Sequence, residues 1–464
     1  MFVFSLFWIF FVVVEINASI GEKKCQNVSN TLESDIQSVV STLANRTGFA
    51  ISVGYVDSCG NEIAAAAGSR GIPSDSNTTT PNDRYTYGSG TKGLTATAVM
   101  RLVDRNILKL EDRAYVFIDR ALKEFNKTLA ETLGKRVENV TVGQLIQMRS
   151  GVSDFDVPDF DNYVLKNSNR TYTPLDFLSY VSSLSDEICE ADYAGNCKCR
   201  FQFEPGTQVA YSSTNFVLAG LVLVGAQSNV TTSWKEYDMA RQGLGLQDSS
   251  SLEFFTDGAL NRWLDVGGLS VQYGKTIIYD QDASIMGWTC GNAVATALDM
   301  AKFYYNLLGP PCSFVSRQSL DIMTTFRTLS EGWAKGYIDY GTGLMIQNMS
   351  PAQYEKGKRP TLNQSASYVG HAGDTYGFLS DNGWYPNLDA SISLVVNEDT
   401  LESNAFTCHI IQTVIGDKEN LGCQVFPEQA LYECMESFGG KVCVESLSSR
   451  ANYTHLECLA SCSS

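Results

Sequence analysis

The chain is short of positive charge. Lys and Arg number 34 against 51 Asp and Glu, a formal net charge of −17, which argues against nucleic acid or an anionic membrane surface as a partner. Long apolar runs are also missing. Met1 to Val14 is nearly all apolar but too short to cross a bilayer, which takes about 20 residues, so no stable membrane span is expected. With Glu15 and the small residues Asn17-Ala18-Ser19 behind it, this stretch reads as a secretory signal peptide over 1–19, although no Lys or Arg precedes it. There is no internal repeat and no low-complexity linker. That leaves two or three domains, or one large body with insertions, rather than a repeat array. Histidine is down to three residues, His371, His409 and His455. Gly-x-Ser-x-Gly is absent, which removes the nucleophile elbow of the α/β-hydrolases.

What is present is a globular mixture, 44% hydrophobic and 18% charged, with ample material for a core. Ten Asn-x-Ser/Thr sequons follow the leader, at Asn27, Asn45, Asn77, Asn126, Asn139, Asn169, Asn229, Asn348, Asn363 and Asn452. With 13 cysteines, they predict a secreted, glycosylated, disulfide-bonded protein in an extracellular or secretory-lumen setting. Six cysteines fall late, from Cys408 to Cys462, so residues 420–464 read as a small disulfide-stapled tail. Cys189, Cys197 and Cys199 share one loop. Zinc could hold them, but an oxidising compartment favours a disulfide.

Periodicity supplies the architecture. Leu32, Ile36, Val39, Val40 and Leu43 predict an amphipathic helix over 31–44. Phe49 to Val56 and Glu62 to Ala67, around Asp57-Ser58-Cys59-Gly60-Asn61, predict a β-hairpin. A helix follows from about 90 to 106. The middle, about 107 to 330, reads as mainly helical, with helix starts at Thr173-Pro174 and Thr296. Residues 341–397 return to strands, with Asp381-Asn382-Gly383 as a hairpin turn, and 403–415 forms a last helix covering the sheet. The expected fold is α+β, an antiparallel sheet built from both ends of a 30–416 domain, flanked by helices and carrying a mainly helical insertion.

The chemistry starts at Ser89-Gly90-Thr91-Lys92. Residues three apart on a helix share a face, so Lys92 is placed to take the proton that keeps a serine hydroxyl a poor nucleophile. No other Ser-x-x-Lys occurs in the chain. A serine opening a helix also meets unpaired N–H groups and the positive end of the dipole. Six further stretches follow in order: Leu145 to Gly151 (LIQMRSG), Pro205-Gly206-Thr207, Tyr211 to Phe216 (YSSTNF), Val294 to Phe303 (VATALDMAKF), Tyr340 to Leu344 (YGTGL) and Gly370 to Gly373 (GHAG).

Together with Tyr87 to Lys92 these resemble the serine β-lactamase and penicillin-binding-protein superfamily over roughly 30–416. The class C-like branch of esterases, D-aminopeptidases and mitochondrial β-lactamase-like proteins is the most similar. The resemblance implies an acyl-enzyme on Ser89, with Lys92 and Tyr211 moving the proton. The Ser89 and Asp374 amides would form the oxyanion hole, and Ser213, His371 and Gly373 would contact substrate, which is a small-molecule or peptide acyl donor. No metal or cofactor is implied. Three departures stand out: Met148 where the branch has His, Ser213 where it has Asn, and His371 in place of the Lys that meets a substrate carboxylate. They shift the expectation from antibiotic hydrolysis toward an esterase, amidase or D-aminopeptidase. A catalytically inactive binding or assembly protein on the same scaffold, or an acyltransferase, stays open. Tyr304-Tyr305-Asn306 and Ser380-Asp381-Asn382 are read as coincidental motif matches. The acidic run Asp154, Asp156, Asp159, Asp161 lacks EF-hand spacing and is read as a solvated rim loop.

Overall fold

The computed structural model describes residues 31–424 apart from 73–75, 193–195, 228–232, 249, 272, 354–357 and 402. The predicted leader, the tail beyond Gln424, and the sequons Asn27, Asn229 and Asn452 lie outside the described residues.

The first apolar stripe forms helix α1 (Leu32–Thr47), with Leu32, Ile36, Val40 and Leu43 buried and Gly48 closing it in the left-handed conformation. The β-rich run behind it pairs as strands β1 (Ile51–Asp57) and β2 (Glu62–Ala67). The Asp57 carboxylate organises their turn by accepting from the amides of Cys59 and Asn61. Three central helices matter for the site: α2 (Thr91–Asp104), α3 (Thr214–Gly225) and α4 (Ala297–Leu308). Thr296 caps α4 through the Asp299 amide, and Thr173 with Asp176 forms a capping box before Pro174–Ser182.

The late strands of the main sheet are β3 (Arg327–Thr328), β4 (Asp339–Tyr340), β5 (Met345–Asn348), β6 (Ser367–Gly370), β7 (Gly373–Thr375), β8 (Phe378–Tyr385) and β9 (Ala390–Val396). They join the N-terminal hairpin in one nine-stranded antiparallel sheet, ordered β3-β4-β5-β6-β8-β9-β1-β2, with β7 added to β8. The two ends of the chain meet where β1 runs against β9, Ile51 opposite Val396 and Asp57 opposite Ala390. Both strands are buried along their length because helices cover both faces. On one face α1 and the last helix, α5 (Ser403–Ile415), bury Ile36, Val40, Ile410 and Ile411 against Ile51, Val53, Ile392 and Leu394. Each such side chain contributes roughly 1.5–3 kcal/mol. Helix α4 lies across the other face. This is the expected α+β arrangement.

Asp381-Asn382-Gly383 is not the hairpin turn. The three residues sit inside β8, because tertiary partners outweigh their local turn chemistry. Asp381 accepts from Thr407 of α5 at 2.7 Å, and Asn382 exchanges hydrogen bonds with His371 and Ser393. The chain reverses instead between Tyr385 and Ala390, with Asp389 at φ 54°. Cys189–Cys199 and Cys408–Cys423 are disulfides, the first leaving Cys197 as the loop's third sulfur. Asn45, Asn77, Asn126, Asn139, Asn169 and Asn363 are exposed. Asn348 differs: its Nδ2 donates to Gln353 at 2.9 Å and Ser367 at 2.8 Å, bonds a glycan would break. Among the described residues no helix is long and apolar enough to cross a membrane.

Candidate active site

Ser89 sits in the tight turn Gly88–Gly90 that leads into α2, so it precedes the first free amides of the helix. Thr91 pins that start by accepting from the Ala293 amide at 2.9 Å. One turn on, Lys92 is fully buried. Its Nζ donates to Ser89 Oγ at 2.8 Å and to the Cys290 carbonyl at 3.2 Å. Nζ lies 5.0 Å from the Tyr211 ring centroid and 6.0 Å from that of Phe216. The hydroxyl–amine pair is thus in direct contact.

Tyr211 comes up to the same amine from the segment before α3. Met148 shapes that segment. Its backbone is left-handed at φ 57°, its carbonyl accepts from the Ala210 amide at 3.0 Å, and its thioether accepts from the Ser212 amide at 3.3 Å. Desolvation holds the Tyr211 pKa well above the usual phenol value although the Ser89 side chain pulls it down, and Asp154 and Asp156 add to the rise. The resting group is a neutral phenol, although Lys92 stands nearby.

Strand β7 closes the other side. An added Cβ on Gly373 would stand 1.9 Å from the Tyr87 carbonyl oxygen, and one on Gly88 would stand 2.7 Å from that of Asp374. Bare backbone at both places therefore lets the Asp374 peptide come up against the serine turn. The Asp374 residue opens to solvent. Desolvation by the protein around its carboxyl, then the charges of Asp399, Asp156, Glu398 and Asp161, push its pKa well up.

Two expected substrate contacts are occupied by the protein itself. His371 is fully buried. Its Nδ1 lies 2.6 Å from the Ala372 carbonyl, so it donates there, and Nε2 accepts from the Tyr340 hydroxyl at 3.1 Å. Burial, with Lys92 nearby, lowers its pKa to about 3, so it lines the site as a neutral ring supporting Tyr211, 6.1 Å between centroids. Ser213 is buried, and its hydroxyl donates to Asp156 Oδ2 at 3.0 Å while its amide donates to Asp154 Oδ1 at 2.9 Å.

These bonds correct the reading of 154–161 as a solvated rim in part: Asp156 and Asp159 stay exposed, whereas Asp154 is half-buried and Asp161 buried. Desolvation first and Asp156 second push Asp154 up to about 7 and Asp161 up to about 8. Asp161 is buried and accepts from Tyr273 at 2.9 Å and Tyr376 at 2.8 Å. The loop follows directly on Ser150-Gly151, and that position was the available signal. Trp333 was also missed: it is 41% exposed, with its ring 5.1 Å from that of Tyr211. Tyr304, one of the coincidental matches, packs behind α2, its hydroxyl 3.5 Å from the Gly90 carbonyl.

A serine hydroxyl, an amine and a phenol held together in this fold invite comparison with known proteins. The β-lactamase family model matches residues 59–411. The chain belongs to the β-lactamase family. Solved structures of similar fold include a D-stereospecific amidohydrolase from Streptomyces sp., at 19% identity and TM-score 0.57 over 83% of this chain and 99% of that one. The D-amino acid amidase of Ochrobactrum anthropi SV3 aligns at 16% identity and TM-score 0.60 over 84% and 99%. An octameric penicillin-binding protein homologue from Pyrococcus abyssi aligns at 21% and 0.57 over 83% and 77%. In this β-lactamase-family chain Ser89, Lys92, Tyr211, Tyr340 and His371, from four of the ordered motifs, lie together.

Proposed function

We propose that this chain is a serine hydrolase that opens an ester or amide bond through an acyl-enzyme on Ser89. The observation that carries the reading is the 2.8 Å bond between Lys92 Nζ and Ser89 Oγ, with the Tyr211 ring centroid 5.0 Å from the same Nζ. Ser89 Oγ attacks the carbonyl carbon as its proton passes to the amine of Lys92. The carbonyl oxygen becomes an oxyanion beside the Ser89 and Asp374 amides, each such donor worth roughly 3–4 kcal/mol to the transition state. As the bond from the carbonyl carbon to the leaving group breaks, the phenol of Tyr211, kept protonated by its surroundings, donates to the departing amine or alkoxide and takes back the proton held by Lys92. Water then cleaves the Ser89 ester. The intact serine–amine contact weighs against an inactive scaffold, and the structural neighbours named as amidases favour amides among the substrates.

Incubation with a fluorophosphonate probe, followed by digestion, should place the label on the Ser89 peptide, and Ser89→Ala should abolish both label and ester turnover. A folded wild-type protein that takes no label at Ser89 would sink the reading. Secretion belongs to the same proposal, supported by the apolar leader, the disulfides and the six exposed sequon asparagines. Expression in a secretory host should give a glycosidase-sensitive mass; an unmodified mass would count against it.

A further inference from the structure

Three rings flank Tyr211, and one of them differs from the others. Tyr340 and His371 are buried, whereas Trp333, its ring 5.1 Å from that of Tyr211, keeps 41% of its surface in solvent. Trp333 belongs to the loop 329–338 between β3 and β4, which is fastened to the segment carrying the phenol. The Ser330 and Glu331 amides donate to the Val209 carbonyl at 2.8 and 3.2 Å, and the Val209 amide donates to Ser330 Oγ at 3.0 Å. Around the indole, Gly332, Ala334 and Gly336 are left-handed, at φ 68°, 53° and 82°, and Ala334 holds that backbone without the freedom of a glycine. The indole is thus set in place by the backbone on either side of it. The loop's two charges, Glu331 and Lys335, pair with each other at 3.2 Å, so the surface offered beside Tyr211 is neutral and apolar. In the proposed reaction the Tyr211 hydroxyl gives its proton to the departing atom. That atom must come within about 2.6–3.2 Å of the phenol oxygen, and the group it carries then lies against whatever surrounds the phenol. Of the three flanking rings, Trp333 alone has surface left to meet it.

We propose that Trp333 is the leaving-group subsite, which selects esters or amides whose departing alcohol or amine carries a neutral aromatic ring. This deepens the serine-hydrolase reading and rests on it. With a benzyl ester, the bond from Ser89 Oγ to the carbonyl carbon forms and the bond to the benzyl oxygen breaks. That oxygen takes the Tyr211 proton and leaves as benzyl alcohol, its ring against the indole. The test uses the full chain and three esters. Benzyl propanoate and ethyl propanoate share the acyl group, and ethyl phenylacetate is an isomer of the first with the ring moved to the acyl side. KM for benzyl propanoate should be about three- to tenfold below that for ethyl propanoate, as for one added aromatic pair. Trp333→Ala, whose folding is read from fluorophosphonate labelling of its Ser89, should cut that advantage to within about twofold. It should leave KM for ethyl phenylacetate within about twofold, because binding on the acyl side does not use the indole. Equal KM for the two propanoates in the wild type overturns the proposal, and that comparison stands even if the variant does not fold. So does an undiminished advantage in the variant, an equal rise in KM for ethyl phenylacetate, or turnover of none of the esters by a chain labelled at Ser89. In each of these cases a labelled Ser89 keeps its place as nucleophile. Absence of label on Ser89 removes both claims.

Discussion

The two walls of the cleft are built on opposite principles. On one side Tyr211, Trp333, Tyr340 and His371 interlock, ring centroids 5.1 to 6.1 Å apart, around a buried Lys92. Burial holds His371 and Tyr211 in their neutral forms. On the other side Asp154, Asp156, Asp161 and Asp374 crowd together, and desolvation and mutual repulsion raise three of them well above ordinary carboxylates. The difference separates tasks. A packed wall of neutral rings is fixed in one protonation state, whereas a partly solvated acidic wall changes its charge with pH.

The sharpest break of the first wall is Lys92→Met, which keeps the aliphatic stem in place and removes the amine. Loss of the general base predicts a fall in kcat of about 10³-fold, with near-normal thermal stability because no buried charge is left unpaired. A variant retaining most activity in a chromogenic ester assay would remove Lys92 from the proton path. Gly373→Ala comes next. Its methyl group would have to push β7 off the Tyr87 carbonyl, 1.9 Å from the ideal Cβ position, so the Asp374 amide should swing away from Ser89. The expected loss is about 10²-fold in kcat, together with about 1–3 kcal/mol of stability from the strain. Wild-type activity in a purified variant would mean that the oxyanion is held elsewhere.

The first wall was legible in the sequence and the second was not, for a physical reason. Ser89 and Lys92 are joined by local helix geometry, and Tyr211 and His371 stand in ordered motifs, so their convergence could be expected from the chain. The role of His371 could not, because Tyr340, which occupies its Nε2, comes from another strand. The acidic loop looked solvated because four aspartates within eight residues ordinarily are. The burial of Asp161 is imposed by Tyr273 and Tyr376, partners 112 and 215 residues away. The same competition moved Asp381-Asn382-Gly383 from a turn into a strand, through Thr407, Ser393 and the His371 carbonyl.

The acidic wall should be visible in stability before it is visible in rate. Asp161 is raised from an ordinary carboxylate to about 8 by desolvation, then by Asp156 and Asp154, while Tyr273 and Tyr376 donate to it and pull the other way. A folded pKa above the unfolded one means that the folded state holds the proton more tightly. This contribution to stability is fully present below about pH 4 and is lost as pH rises through about 8. Melting temperature should therefore decline between pH 5 and pH 9, and Asp161→Asn should flatten part of that decline. An unchanged slope in the variant would show that the buried carboxyl is already ionised at neutral pH.

The smallest effect is expected where the two walls meet. Trp333 touches Tyr211 edge-on but keeps 41% of its surface in solvent, so it supports the phenol from one side only, and the Tyr340 and His371 rings brace it from others. Trp333→Leu should leave kcat within about threefold, because the Ser89, Lys92 and Tyr211 contacts do not pass through the indole. KM is the parameter that should move. An aromatic pair is worth about 0.5–1.5 kcal/mol beyond its buried area, so KM for a donor with an aromatic leaving group should rise several-fold while KM for one with a small aliphatic leaving group changes little. A fall in kcat for both donors with KM unchanged would reassign Trp333 as packing for the first wall, and the division between the walls would have to be drawn on its outer side.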